Sequence, residues 1–134
     1  MVKAEGHKFP FQGAEALTPE VLEVFPYEYP ERMAMVEIAT DEWSCVCPFS
    51  GLPDFGTLEV HYVPSDSCIE LKSLKYYLTS FRGVGIYQEH AANRVLDDLV
   101  ACCSPRWMEV KLDYRLRGGI HMVVRVTHGE RPNG

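Results

Sequence analysis

The sequence predicts an α+β domain, a four-stranded antiparallel sheet with two helices on one face. Three observations carry this reading. Apolar and polar residues alternate with period two in four stretches, two before and two after a central region. The central region holds two helical patterns in succession. The chain is 134 residues long, the length of one domain. Strand, strand, helix, helix, strand, strand is the order of an α+β layer, unlike the alternation of βαβ units.

The first strand starts beyond Arg32, where Ala34, Val36, Ile38 and Thr40 alternate with Met33, Met35, Glu37 and Ala39. Residues 44–56, Ser-Cys-Val-Cys-Pro-Phe-Ser-Gly-Leu-Pro-Asp-Phe-Gly, hold two prolines and two glycines and predict a structured loop. Alternation returns over Thr57 to Val63, with Leu58, Val60 and Tyr62 on one face. The first helix is expected over Ile69 to Phe81, opened by the capping-box spacing Ser67-x-x-Glu70 and followed by Gly83. The second is expected over Gln88 to Cys103, with Ala92, Val95, Leu96, Leu99 and Cys103 as its apolar stripe and Pro105 closing it. Two strands over 107–116 and 120–128 complete the sheet, joined through Arg117-Gly118-Gly119 as a tight hairpin. Two helices leave the edges of four strands open, so copies are expected to associate side by side into a larger barrel.

Residues 1–31 stand apart from the body at 32–134. Pro10, Pro19, Pro26 and Pro30 exclude long helices and central strands there. Phe9, Phe11, Phe25, Tyr27 and Tyr29 point to an arm packed on the body or on a neighbouring subunit; a partly ordered tail is the other reading.

Composition narrows the function. Hydrophobic residues make up 46% and charged residues 24%, as in ordinary globular proteins. Nineteen acidic against 13 basic side chains give a net charge of -6, which argues against a nucleic-acid partner. No apolar run approaches the roughly 18–20 residues of a membrane helix, and the N-terminus lacks the apolar stretch of a signal peptide. Five cysteines in such a chain point to a reduced cytoplasm and not to a disulfide framework.

Chemistry concentrates in the 44–56 loop. Cys47 and Asp54 put a thiol and a carboxylate on one constrained segment. A cysteine attacks as its thiolate, and a nearby carboxylate can take the thiol proton and later deliver it to a substrate nitrogen. Leu-Pro-Asp-Phe-Gly also reads as a plain turn. Cys45 and Cys47 share a face in extended chain, as metal ligands would, but Cys68, His61, His90 and the Cys102–Cys103 pair complete no zinc spacing, and no metal is expected. Lys72 and Lys75 stand three apart near a helix start, a setting for phosphate groups and equally for a solvated basic face. Gly83-x-Gly85 follows no strand, which excludes a Rossmann site. Glu89 is either a reader of heterocyclic N–H groups or a first-turn carboxylate favoured by the helix dipole.

Taken together, Cys-Pro-Phe-Ser-Gly-Leu-Pro-Asp-Phe, Glu-Leu-Lys-Ser-Leu-Lys-Tyr-Tyr, Ser-Phe-Arg, Gln-Glu and Arg-Gly-Gly resemble the short, single-domain NADPH-dependent 7-cyano-7-deazaguanine reductases, over about residues 40–125. The resemblance implies the tunnelling fold shared with GTP cyclohydrolase I, in which subunits join their sheets into a barrel. It implies a homo-oligomer, with ring assembly, that uses NADPH to reduce a nitrile on a small-molecule substrate to a primary amine in queuosine biosynthesis. It implies Cys47 as the nucleophile forming a thioimide and Asp54 as the acid. Gln88 and Glu89, with Ile69, Glu70 and Leu71, would bind the deazaguanine, and Lys72, Ser73 and Lys75 fall in the NADPH signature. Gln88 stands where the family often has histidine; it can hydrogen-bond but cannot titrate, and His90, two residues on, faces another way on a helix. Two rival readings are an amidinotransferase acting on the same nitrile in tRNA, which shares the cysteine–aspartate pair, and a non-catalytic, zinc-stabilised binding module.

Overall fold

A computed structural model describes Gly6 and residues 8–132; residues 1–5 and 7 of the expected arm lie outside the described residues. Strands β1 (Val24–Pro26), β2 (Val36–Val46), β3 (Pro53–Val63) and β4 (Ser67–Ile69) come first. Helices α1 (Leu71–Thr79) and α2 (Gln88–Cys103) follow, then strands β5 (Trp107–Tyr114) and β6 (Val123–Gly129). The main sheet is antiparallel throughout in the order β2-β3-β5-β6, and β1 and β4 form a separate two-stranded ribbon. Helix α2 lies across β5 and β6, and α1 beside β2. Between them the core gathers Trp43, Leu58, Val60, Tyr62, Leu74, Tyr77, Leu99, Val110 and Leu112. The α+β architecture is the expected one. Among the described residues no helix is long and apolar enough to cross a membrane.

The largest departure from the expected elements is the 44–56 loop, most of which is sheet. Strand β2 runs through Val46 and β3 begins at Pro53, leaving Cys47–Leu52 as the connection. The alternation was hidden by a bulge: Thr40 pairs with Leu58 but Trp43 with Gly56, so β2 carries one extra residue. Val36 and Ile38 face inward before it and Trp43 and Cys45 after it, and the period-two pattern breaks between them. Pro53 is tolerated because it opens its strand.

The α1 boundary also shifts. Ser67 belongs to β4 and pairs with Pro26, so there is no capping box. Glu70 is itself the N-cap, its carboxylate accepting from the Lys72 and Ser73 amides. The helix ends at Thr79, and Gly83 lies in the turns that follow without the left-handed backbone of a helix cap. Helix α2 spans the expected residues. The last hairpin is shorter in its strands, although the Arg115 N–H still donates to Phe55 O at 2.9 Å, which keeps the chain beside the start of β3. At its tip Gly118 and Gly119, at φ 58° and 79°, make the two-residue turn read from the sequence.

The described part of the N-terminal segment packs on the body. Leu17 is buried in the core, β1 pairs with β4, and Glu23 donates its amide to Ser73 Oγ at 2.9 Å. Tyr62 anchors the entry to α1, its buried hydroxyl accepting the Ile69 N–H at 2.9 Å. Tyr62→Phe leaves that amide unsatisfied, and we expect a loss of about 1–3 kcal/mol in urea unfolding; an unchanged midpoint would remove the anchor.

Candidate active site

The Cys47–Leu52 connection is fixed from three sides. Within it, the Cys47 amide donates to Leu52 O and the Gly51 amide to Cys47 O, each at 2.8 Å. Beside it, Val46 donates to Val84 O at 3.0 Å and accepts from the Ile86 amide at 3.1 Å. Above it, the Phe9 amide donates to Ser50 O at 2.9 Å, and Gln12 exchanges hydrogen bonds with Gly83 and Gly85. Gly51 sits at φ 75°, and a Cβ there would lie 2.2 Å from Phe9 O, so only glycine fits.

This turn aims its donors at the Cys47 sulfur. The Ser50 amide foremost, then the Ser50 hydroxyl and the Phe49 amide, favour the thiolate and hold the Cys47 pKa below the ordinary thiol value. Partial burial and the charge of Asp54 work against them and lose. Ser50 Oγ meanwhile accepts the Leu52 amide at 3.2 Å, which orients its O–H. Cys45, two residues away, has the opposite setting. It is fully buried, and burial first, then the Asp54 charge, pushes its thiol up to about 12. Cys45 is therefore part of the core, and Cys47 is the thiol whose surroundings favour the thiolate. Among the described residues no three His, Cys, Asp or Glu side chains stand at metal-ligand distance from one another.

Asp54 pairs with Cys45 across the β2–β3 ladder and points inward, only 4% exposed. Arg117, from the β5–β6 turn, forms an ion pair with its carboxylate. Both line a cavity of about 360 Å³ together with Phe55, Arg115 and Gln88. Gln88 arrives there because the bridge between Val46 and Gly85 places the start of α2 beside the Cys47 turn. Glu89 follows on the exposed first turn of α2. One chain thus brings Cys47, Asp54 and Gln88 to the same end of the sheet.

Of the other expected site residues, Ile69 lies toward the opposite end, and α1 runs back from there along β2. Tyr62, which holds Ile69, is eight residues along β3 from Asp54, about 25 Å at the usual strand rise. Ile69 is buried and Leu71 is 60% exposed. The Glu70 carboxylate is engaged as the N-cap and is held below the usual carboxylate range by the Ser73 amide foremost. Ser73 is buried, with its hydroxyl donating to Glu70 O at 2.8 Å and accepting from Glu23. That hydroxyl ties the N-terminal segment to α1 and is spent within the chain. Lys72 and Lys75 are exposed. Lys75 borders a second cavity of about 260 Å³ between α1 and β2, walled by Trp43, Leu71, Leu74 and Leu78 and carrying Arg82. Sequence reasoning missed Arg82 and Arg117 as site residues; each stands in a stretch singled out above, Ser-Phe-Arg and Arg-Gly-Gly.

The family described as "QueF-like protein" matches residues 53–133. A protein of Caldicellulosiruptor bescii named NADPH-dependent 7-cyano-7-deazaguanine reductase is 53% identical over 118 residues, 88% of this chain and 90% of that protein. A protein of the same name from Chlorobaculum tepidum is 52% identical over 114 residues, 85% of this chain and 97% of its own. Among solved structures, an archaeosine synthase QueF-Like in the apo form superposes with a TM-score of 0.64. It covers 75% of this chain and 96% of that one at 23% identity, a likeness of fold.

Two predictions follow from the thiol environments. Iodoacetamide at neutral pH labels Cys47 ahead of Cys45, and mass mapping with Cys45 labelled first would contradict the assignment. The labelling rate of Cys47 rises with pH through a midpoint below the ordinary thiol value. Ser50→Ala removes a donor to the thiolate, so its midpoint moves up and its rate at neutral pH falls; an unmoved midpoint would exclude the hydroxyl.

Proposed function

The chain belongs to the QueF-like protein family, and we propose that it reduces the nitrile of 7-cyano-7-deazaguanine to the primary amine with NADPH, as the reductases it resembles are named for doing. The observation that carries this reading is a thiol whose turn favours the thiolate, within reach of the charge of a buried carboxylate that lines a cavity. That pair suits addition to a nitrile, which needs a nucleophile for carbon and a proton for nitrogen.

In the proposed mechanism the Cys47 sulfur bonds to the nitrile carbon while one C–N π bond breaks. Asp54 takes the thiol proton and passes it to the nitrogen, giving a thioimide with no net change in protons. When bound, NADPH would supply the two hydrides that this carbon needs, one at the thioimide and one at the imine. Between the two, a second proton reaches the nitrogen and the C–S bond breaks, returning Cys47 as thiolate. The Ser50 and Phe49 donors that favour the anion also favour its departure. Two hydrides and two protons in all make the amine. Gln88 can hold the base by hydrogen bonds, leaving proton transfer to Asp54, and Glu89 can accept from the N–H edge of the heterocycle.

The chemistry of the donor set around α1 fits NADPH. Lys72, Lys75 and Arg82 form no salt bridge among the described residues, and Lys75 and Arg82 line the largely apolar cavity, so cations are at hand for phosphates there. Lys72 and Lys75 would hold the cofactor; the buried Ser73 would support them from beneath. The distance between Asp54 and the Ile69–Leu71 segment supports a homo-oligomer in which a second copy brings that segment to the substrate. Strands β2 and β6, each paired on one side only, offer the edges for it.

Adding free 7-cyano-7-deazaguanine should oxidise two NADPH per nitrile. Cys47→Ala should lower turnover by about a thousandfold or more, and undiminished turnover would refute the covalent route. Lys75→Ala should raise KM for NADPH about tenfold with KM for the nitrile little changed; equal effects on both would place the lysine elsewhere.

A further inference from the structure

Arg117 was read from the sequence as part of a turn, but its side chain does more than close a hairpin. Asp54 is a buried carboxyl, and buried charges persist where they are paired. Among the described residues its side chain has one hydrogen-bonded partner, the Arg117 guanidinium, through a single nitrogen to Oδ1. No sealed side-chain nitrogen or oxygen lacks a partner among the described residues, so the unpaired Oδ2 is open to the cavity that both residues line. The fold brings the cation there by two devices. The Arg115 amide donates to Phe55 O in register with the β3–β5 ladder, and its guanidinium lies over the Phe55 ring, 6.0 Å from the centroid, so the chain continues alongside the start of β3. Arg117 stands just before the Gly118–Gly119 turn, bridged to Ile120, with its guanidinium on Asp54.

We propose that Arg117 is the positioning residue of the acid–base carboxylate, pinning Oδ1 of Asp54 and leaving Oδ2 to carry the proton from the Cys47 thiol to the nitrile nitrogen. This rests on the reductase reading above. Because the contact uses one nitrogen and not the bidentate fork, a compact cation on a similar stem can replace it. Arg117→Lys therefore preserves the device and Arg117→Gln removes it.

The test follows covalent addition of 7-cyano-7-deazaguanine to the full chain without NADPH, by intact mass against time. Arg117→Gln should slow addition about 10–100-fold, and Arg117→Lys should recover most of it. Substrate affinity, measured in a Cys47→Ala background, should stay within about twofold. In an Asp54→Asn background the glutamine substitution should add nothing, since Arg117 acts through Asp54. Addition at the wild-type rate, a loss confined to affinity, a lysine variant no better than glutamine, or a full further loss in the Asp54→Asn background would each overturn the proposal. A wild-type chain that forms no adduct overturns the reductase reading instead. The pairing is then decided by urea midpoints of the same variants: non-additive shifts for Asp54→Asn and Arg117→Gln uphold it, and additive shifts overturn it.

Discussion

The backbone hydrogen bonds that clamp the β2–β3 turn decide what the rest of this end of the molecule can do. Val46 is held between Val84 and Ile86, and Ser50 accepts from Phe9. Turns at sheet ends are ordinarily among the least protected parts of a fold. Here the clamp fixes the Phe49 and Ser50 donors around one sulfur, and a donor set stabilises an anion only if it need not reorganise. The same ladder starts α2 at Gln88, so the geometry of the thiol and the position of the neighbouring helix have one cause.

From that clamp follows a division of labour between two thiols of identical chemistry. Cys45 continues the inward face of β2 after the bulge and is sealed into the core, where burial keeps it protonated. Cys47 lies just past the last β2 residue, where the chain leaves the sheet and amides replace apolar neighbours. Asp54 stands across the ladder from Cys45, inside the protein yet reached by the Arg117 hairpin. Its charge opposes ionisation of both cysteines, and only the turn donors reverse the balance at Cys47.

Much of the fold was legible because local pattern and tertiary role agree. Helix α2 has an uninterrupted apolar stripe ended by Pro105, and its bounds were read directly. Strands β3 and β5 alternate over their buried lengths. Legibility failed where a tertiary partner overrides the local signal. The bulge between Thr40 and Trp43 shifts the phase, so the sheet on either side of Cys47 looked like loop. Ser67 carries a capping spacing but is claimed by β1, and Glu70 caps alone. Ser73 stands in a lysine-rich run that suggested a ligand, while its hydroxyl faces inward to Glu23. Arg117 has a turn-forming context that concealed its side chain's destination. Sequence order also says nothing of the sheet's length, which separates Ile69–Leu71 from Cys47.

That separation sets the Cys47 thiol at one end of the sheet and Ile69 toward the other, and under the proposed reading each is a half-site. The proposed function stands on the first of them: a clamped turn whose donors favour the Cys47 thiolate, which would add to the nitrile carbon. Its most direct test is the mass of the intact chain after incubation with 7-cyano-7-deazaguanine in the absence of NADPH, followed by peptide mapping. The account predicts a gain of one substrate mass per chain, carried by Cys47. No gain, or a gain carried by Cys45, Cys68, Cys102 or Cys103, would contradict it.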